Sequence, residues 1–262
     1  TVRFSQTAGA SIRAEVPFGE ELRTLELVPE SVRAPDYELV AQLADGSYVS
    51  VEPGPVKTLR GRVLGIDGSL VAASLHDDGL HAIMLLPDGR RQWLEPIGTR
   101  VAGAAADHYV LYYGDDVLSS GGTCATASQP RNAPLARHES AVVATGGPLL
   151  IAELGIDSDF EYFQDYGSVA ATEAQINNII NTMNIHYERD LGIRHIITTI
   201  VVRTVEPDGY SSLDIGSLLN QFRDRWVEQM GHVRRDAAQL FTGKNLTGGF
   251  IGLAITRSLC FT

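Results

Sequence analysis

The chain has 262 residues, of which 44% are hydrophobic, and this supplies apolar material for one large domain or two of ordinary size. Its formal net charge is −11 and Lys and Arg are not clustered, which argues against a nucleic acid or an anionic membrane surface as a partner. No uninterrupted apolar run approaches the ~20 residues that a membrane-spanning helix requires.

The first half of the sequence, from Leu22 to about Tyr113, predicts an antiparallel β-meander. Short apolar and alternating runs are separated there by Asp-Gly pairs, a dipeptide that suits tight hairpins because its residues tolerate positive φ. These pairs are Asp45-Gly46, Asp67-Gly68, Asp78-Gly79 and Asp88-Gly89.

A segment of different composition, from Ser119 to Pro148, predicts an exposed connector between domains. It is rich in Gly, Ser, Ala, Thr and Pro and has little apolar periodicity. We therefore expect a β-rich domain over residues 1–145, which ends in this linker, and a second domain over residues 146–262.

The second half alternates between strand and helix patterns. LLIAELGI predicts a strand, Thr172 and Gln175 predict a capping box at the start of a helix that ends at Gly192, and IRHIITTIVVRTV predicts a buried strand. A second helix is predicted to begin near Asp214, and two more strands follow in DAAQLFTGKNLTGGFIGLAI. The order β-α-β-α-β-β indicates an α/β or α+β fold, with a mixed sheet and packed helices.

The residues of this half resemble a known family. The local match runs through Asp236-Ala-Ala-Gln-Leu-Phe-Thr-Gly243, Gly249-Phe-Ile-Gly-Leu-Ala254 and Cys260, and the resemblance as a whole covers residues 149–262. It is similar to the N-terminal subdomain of a reprolysin-type metzincin, a zinc metallopeptidase. The resemblance implies an edge strand that pairs antiparallel with a peptide or protein substrate through Gly249, Ile251, Gly252, Leu253 and Ala254.

The physical chemistry of an open edge supports this function independently. An extended peptide gains main-chain hydrogen bonds along such an edge, and Gly252 would allow its backbone to approach closely. The alternative is that Gly248, Gly249 and Gly252 only form a bend and a bulge.

The zinc motif of the family, HExxHxxGxxH, is absent from the chain. The nearest approach is His138-Glu139, where Val142 stands at the second ligand position, in the predicted connector. We therefore expect no catalytic residue and no metal ligand in this chain, and inactivity when it is alone. In the family the zinc helix follows the edge strand, so the resemblance implies zinc in a longer parent enzyme.

The position of the first half corresponds to the propeptide of a secreted zymogen. Under this resemblance Cys124, in Ser-Gly-Gly-Thr-Cys, is an inhibitory switch cysteine, because a thiolate can take the zinc position that water otherwise holds. The alternatives are an incidental exposed thiol or a pairing with Cys260, which the resemblance instead pairs with a cysteine beyond Thr262.

Two acidic residues and two other classes of function complete the expectations. Glu153 and Asp236 match positions that bind structural calcium in some family members, although we interpret them here as surface or capping carboxylates.

A non-catalytic module that captures peptides at an open sheet edge is the competing hypothesis, and an adhesive or inhibitory β-domain is a third. The sequence does not determine the oligomeric state.

Overall fold

The computed structural model describes residues 3–6, 11–19, 21–98, 100–105, 107–118, 121–124 and 148–255. They form two compact units, and each unit takes segments from both halves of the sequence. Unit 1 comprises Thr1–Val32, Pro55–Leu118 and Ala174–Arg189. Unit 2 comprises Arg33–Gly54, Ser119–Glu173 and Asp190–Thr262.

Unit 1 contains an eight-stranded antiparallel sheet in the order β1-β2-β3-β6-β7-β8-β9-β10. Its strands are β1 (Arg3–Gln6), β2 (Ile12–Phe18), β3 (Glu21–Pro29), β6 (Thr58–Val63), β7 (Leu70–His76), β8 (Gly79–Leu85), β9 (Arg91–Pro96) and β10 (Tyr109–Tyr113). Alternate side chains point to opposite faces of a strand, and both faces of β7 and β8 are buried. Val71 and Ala73 contribute to one apolar cluster, whereas Ala72 and Ile83 pack with Ile185 in another.

Unit 2 contains a five-stranded sheet in the order β14-β12-β13-β4-β5. Its strands are β4 (Arg33–Gln42), β5 (Tyr48–Val51), β12 (Leu150–Ser158), β13 (Ile193–Arg203) and β14 (Ala237–Phe241). The first four strands in this order are mutually parallel, and β5 is antiparallel to β4. The prediction of a mixed sheet with packed helices is confirmed. The last two strands, β11 (Thr123–Cys124) and β15 (Phe250–Gly252), form a separate parallel pair in this unit.

The predicted meander is correct in placing hairpins at the Asp-Gly pairs. It is wrong in placing β4 and β5 in the same sheet as the other strands of the first half. Each of the four Asp-Gly pairs lies at a turn between consecutive antiparallel strands, and Gly79 is already the first residue of β8. However, β4 pairs with β13, on the far side of the predicted domain boundary. The alternation of apolar residues identifies a strand without identifying its partner. Here the partner is decided by the buried side chains Leu39 and Ala41.

Three helices lie within the described chain: α1 (Phe160–Tyr166), α2 (Val169–Leu191) and α3 (Ile215–Glu228). The stop predicted at Gly192 is confirmed, with a φ of 66° that favours glycine, and Asp214 caps α3 as predicted. The capping box at Thr172 and Gln175 is wrong, because α2 begins one turn earlier. Ser168 Oγ accepts the Ala171 amide at 3.2 Å, so this shorter side chain takes the capping position. None of these helices has the length and apolar character that crossing a membrane would need.

Candidate functional site

The segment predicted to bind substrate follows a short 3-10 turn, Thr247–Gly249, in unit 2. Gly248 and Gly249 have φ values of 82° and 71°, a region that L-residues rarely adopt, so the reversal of the chain depends on glycine. The Thr247 amide donates to the Leu213 carbonyl at 2.9 Å and fixes the start of the turn. The chain then extends as β15 and continues through Leu253 and Ala254 without regular structure.

One edge of β15 is paired with β11, the strand that carries Cys124. The two strands run parallel, with Thr123 opposite Phe250 and Cys124 opposite Gly252. A Cβ atom on Gly122 would come within 2.5 Å of Ile251 Cγ2, so glycine permits the close approach of the two strands. The structure thus brings the predicted switch cysteine to the predicted substrate strand, a contact that the sequence did not indicate.

The surroundings of the predicted substrate residues are open. Ile251 is 74% exposed, and a Cβ atom on Gly252 would meet no atom within 4 Å. Cys124 and Ala254 are also exposed. Cys260 and His138 lie outside the described residues.

The expectation that β15 forms the rim of the mixed sheet is wrong. That rim is β14, and β15 lies in the two-stranded sheet. The physical reason is the loop after β14, which is tied to the start of α1. The Asp159 carboxylate accepts the Tyr162 amide at 2.8 Å and the Gly243 amide at 3.0 Å, and it also bonds the Thr242 hydroxyl.

The loop and α1 fit together closely at Gly243. A Cβ atom there would lie 2.6 Å from the carbonyl carbon of Glu161, so only glycine allows the contact. Burial raises the pKa of Asp159, although its hydrogen bond with Thr242 opposes that shift. This anchored loop directs the chain away from β14 before β15 begins.

The described residues contain a single group of three carboxylates close enough to share an ion: Glu161, Glu206 and Asp208. The Lys244 ammonium group forms an ion pair with Glu161, and Asp208 accepts the amides of Phe160 and Tyr210 at 2.9 and 2.8 Å. Burial lowers the pKa of Lys244, but the hydrogen bond with Glu161 and the charges of Glu161, Asp159 and Asp208 together raise it by more, so the amine keeps its charge. An all-carboxylate group already paired with an ammonium group does not suit zinc, for which proteins use His or Cys together with carboxylates.

The expected calcium carboxylates are neighbours, but both are engaged. Asp236 Oδ2 accepts the Glu153 amide at 2.8 Å, and the Asp236 amide donates to the Glu153 carbonyl at 2.8 Å. Arg234 lies 3.2 Å from Glu153 Oε1 and supplies a positive charge at the place where a cation would sit. These contacts give the pair a structural role and offer no support for calcium.

A buried charged cluster at the carboxyl ends of β12 and β13 was not predicted. Asp157 and Arg203 are both 0% exposed and bond through Nε at 2.9 Å and Nη2 at 2.7 Å. The Tyr210 hydroxyl and the Trp226 indole also donate to Asp157, at 2.7 and 2.9 Å. A carboxylate and an arginine at the ends of successive apolar strands were the signal available in the sequence, since such ends meet at one edge of a parallel sheet.

The fold and contacts of unit 2 define an α/β domain that presents a short, glycine-flanked strand beside a cysteine-bearing strand. Residues 149–262 match the model of the Metallo-peptidase family M12B, Reprolysin-like, so this part of the chain is similar to reprolysin-like metallopeptidases. Families of this kind act on peptides or proteins and depend on zinc. A comparison with curated proteins found no match.

Proposed function

We propose that the chain is the N-terminal, zymogen part of a secreted zinc endopeptidase, with residues 1–145 as the propeptide. The reprolysin-like match supports the peptidase class, and the absence of HExxHxxGxxH from the sequence is the reason to place the zinc ligands in a part of the enzyme beyond Thr262. Because the sequence lacks that motif, the chain by itself is expected to be inactive.

The observation that carries the zymogen proposal is the pairing of β11 with β15. An incoming peptide needs main-chain groups on an open edge, and β11 occupies one edge of β15 with Cys124 opposite Gly252. The strand is parallel to β15, whereas the resemblance implies an antiparallel substrate. A segment that runs in the reversed direction covers the edge without presenting its own peptide bonds in the substrate orientation.

The experiment uses the open reading frame from Thr1 through its continuation past Thr262. Hydrolysis of a denatured protein substrate is measured before and after proteolytic cleavage of the predicted connector, with and without a metal chelator. We expect chelator-sensitive hydrolysis that rises at least tenfold on cleavage. The variant Cys124→Ser should be active without cleavage, and Ser119→Ala, in the same connector, should behave as the wild type.

Two outcomes would overturn the proposal. If the continued sequence contains no HExxHxxGxxH, the peptidase is excluded, and binding of an extended peptide without hydrolysis would then support the competing binding module. If the uncleaved wild type is as active as the cleaved form, the zymogen proposal fails and the peptidase proposal stands. Secretion is tested separately, by detecting the protein in the medium of its native host.

A further inference from the structure

We infer that the N-terminal half of the chain remains bound to the C-terminal half as a non-covalent subunit after the connector is cut. The halves are residues 1–124 and 148–262. This inference goes beyond the proposed function and does not depend on peptidase activity, because it rests on how the halves exchange elements within unit 1 and within unit 2.

In unit 2 the N-terminal half contributes a strand to the sheet of the C-terminal half. Strand β4 pairs with β13 from Glu38 opposite Thr199 to Gln42 opposite Arg203. Leu39 is 1% and Ala41 is 5% exposed, so the strand also carries part of the apolar core of the unit. Loss of β4 would expose these side chains and leave the main-chain groups of β13 unpaired.

A buried carboxylate adds a second attachment in unit 2. Glu173, at the start of α2, is 1% exposed and bonds Arg33 at 2.9 Å, the Tyr37 hydroxyl at 3.0 Å and the Gly54 amide at 3.0 Å. All three partners of Glu173 belong to the N-terminal half. Burial, reinforced by the charge of Glu173, raises the pKa of Tyr37, so this hydroxyl remains a hydrogen-bond donor. Separation of the halves would break all three of these bonds, so they add to the attachment between the halves.

In unit 1 the exchange runs in the opposite direction, because the C-terminal half contributes most of α2. Arg60 Nε donates to Asn181 Oδ1 at 2.6 Å, and Asn181 Nδ2 donates to the carbonyls of Leu59 and Ala73 at 3.2 and 2.9 Å. Ile185, 2% exposed, completes the apolar cluster on this face of the sheet. Each half therefore contributes buried side chains to a unit built mainly from the other half. Parting of the halves would open the Ile185 cluster of unit 1 and remove β4 from the sheet of unit 2.

The test introduces the recognition sequence of a specific protease between Ala125 and Gly147 of the full chain. After complete cleavage, shown by denaturing electrophoresis, the protein is run on size exclusion at micromolar concentration. We expect both pieces to elute together at the volume of the uncut protein. Elution as two separate species, or in the void volume as aggregate, would overturn the inference.

Two neighbouring arginines provide a matched pair of variants. Arg60 on β6 contacts α2, whereas Arg62 on the same strand bonds Glu26 within the N-terminal half at 3.0 Å. In the cut protein, Arg60→Ala should raise the dissociation constant of the pieces at least tenfold, and Arg62→Ala should change it less than twofold. Circular dichroism of the uncut variants verifies that both fold. Equal effects of the two substitutions would refute the proposed attachment.

Discussion

The buried ion pair of unit 2 gives the sharpest prediction, for the substitution Asp157→Asn. The carboxylate receives two hydrogen bonds from Arg203 and one each from Tyr210 and Trp226, and the ion pair is 0% exposed. Burial favours the neutral guanidine, but the hydrogen bonds and charge of Asp157 outweigh this effect and raise the pKa of Arg203. The substitution removes the charge and turns one acceptor into an NH₂ group that faces other donors.

The expected loss is about 3–5 kcal/mol in the free energy of unfolding, because a buried guanidinium then lacks its counter-charge. This is a large share of the ~5–15 kcal/mol that stabilises an ordinary domain. The assay is urea denaturation followed by tryptophan fluorescence, which reports on Trp226 inside the cluster and on Trp93 in unit 1, together with far-UV circular dichroism.

The same substitution at Asp36 is the control. Asp36 is 66% exposed and pairs with Arg234 at 2.7 Å, so Asp36→Asn should cost less than about 1 kcal/mol. A double variant, Asp157→Leu with Arg203→Met, should recover part of the loss, because it removes the unpaired charge as well. If Asp157→Asn falls within about 1 kcal/mol of the Asp36 control, the reasoning about the buried pair is refuted.

Three further predictions concern pH, packing and capping. Burial lowers the pKa of His76 from 6.5 to about 4, so its contribution to stability is complete above pH 6.5 and is lost as the pH falls towards 4. Between pH 7 and 4 the wild type should lose about 1–2 kcal/mol more than His76→Gln in urea titrations, after allowance for partial exposure. Gly243→Ala should cost about 1–3 kcal/mol by thermal denaturation, because its Cβ would lie 2.6 Å from Glu161. Asp214→Ala should cost about 1 kcal/mol, since the bond to the Ser217 amide at 2.8 Å is lost.

Each of these predictions has an opposing result. If the unfolding free energies of the wild type and His76→Gln depend on pH in the same way, protonation of His76 does not destabilise the folded protein. Gly249→Ala is the control for Gly243→Ala, because a Cβ atom at position 249 would meet no atom within 4 Å. Its positive φ of 71° alone should lower the free energy of unfolding, by ~1–2 kcal/mol. An effect at Gly243 smaller than at Gly249 would contradict the packing argument. Unchanged stability of Asp214→Ala would show that the cap of α3 is replaceable by solvent.

Local patterns were sufficient to predict most elements of the second half, although α1 (Phe160–Tyr166) was not predicted. Apolar residues at helical spacing and a polar cap gave α3, and the β-branched run gave β13. These features depend on backbone geometry and on which face is apolar, and both are encoded within a dozen neighbouring residues. The exact start of α2 was missed because Ser168 and Thr172 both have hydroxyls that can cap, and the choice between them depends on the loop from α1.

The placement of the candidate site could be predicted only in part. A bend at Gly248 and Gly249 was the alternative to a substrate strand, and the structure has both a reversal at these glycines and an extended chain at Phe250–Gly252. That β15 leaves the mixed sheet and pairs with β11 depends on the contact of Asp159 with Gly243, between residues more than eighty positions apart. No pattern within either segment specifies that contact.

The sequence by itself determined the identity of most strands and helices, the hairpin turns at Asp-Gly and the resemblance of residues 149–262 to a metallopeptidase segment. Tertiary structure alone decided which strands pair across the chain: β4 with β13 and β11 with β15. The reason is that helix periodicity, turns and caps are set by short-range sterics and hydrogen bonds. Strand partners are set by burial and charge compensation among distant residues, such as Leu39 beneath the sheet and Glu173 against Arg33.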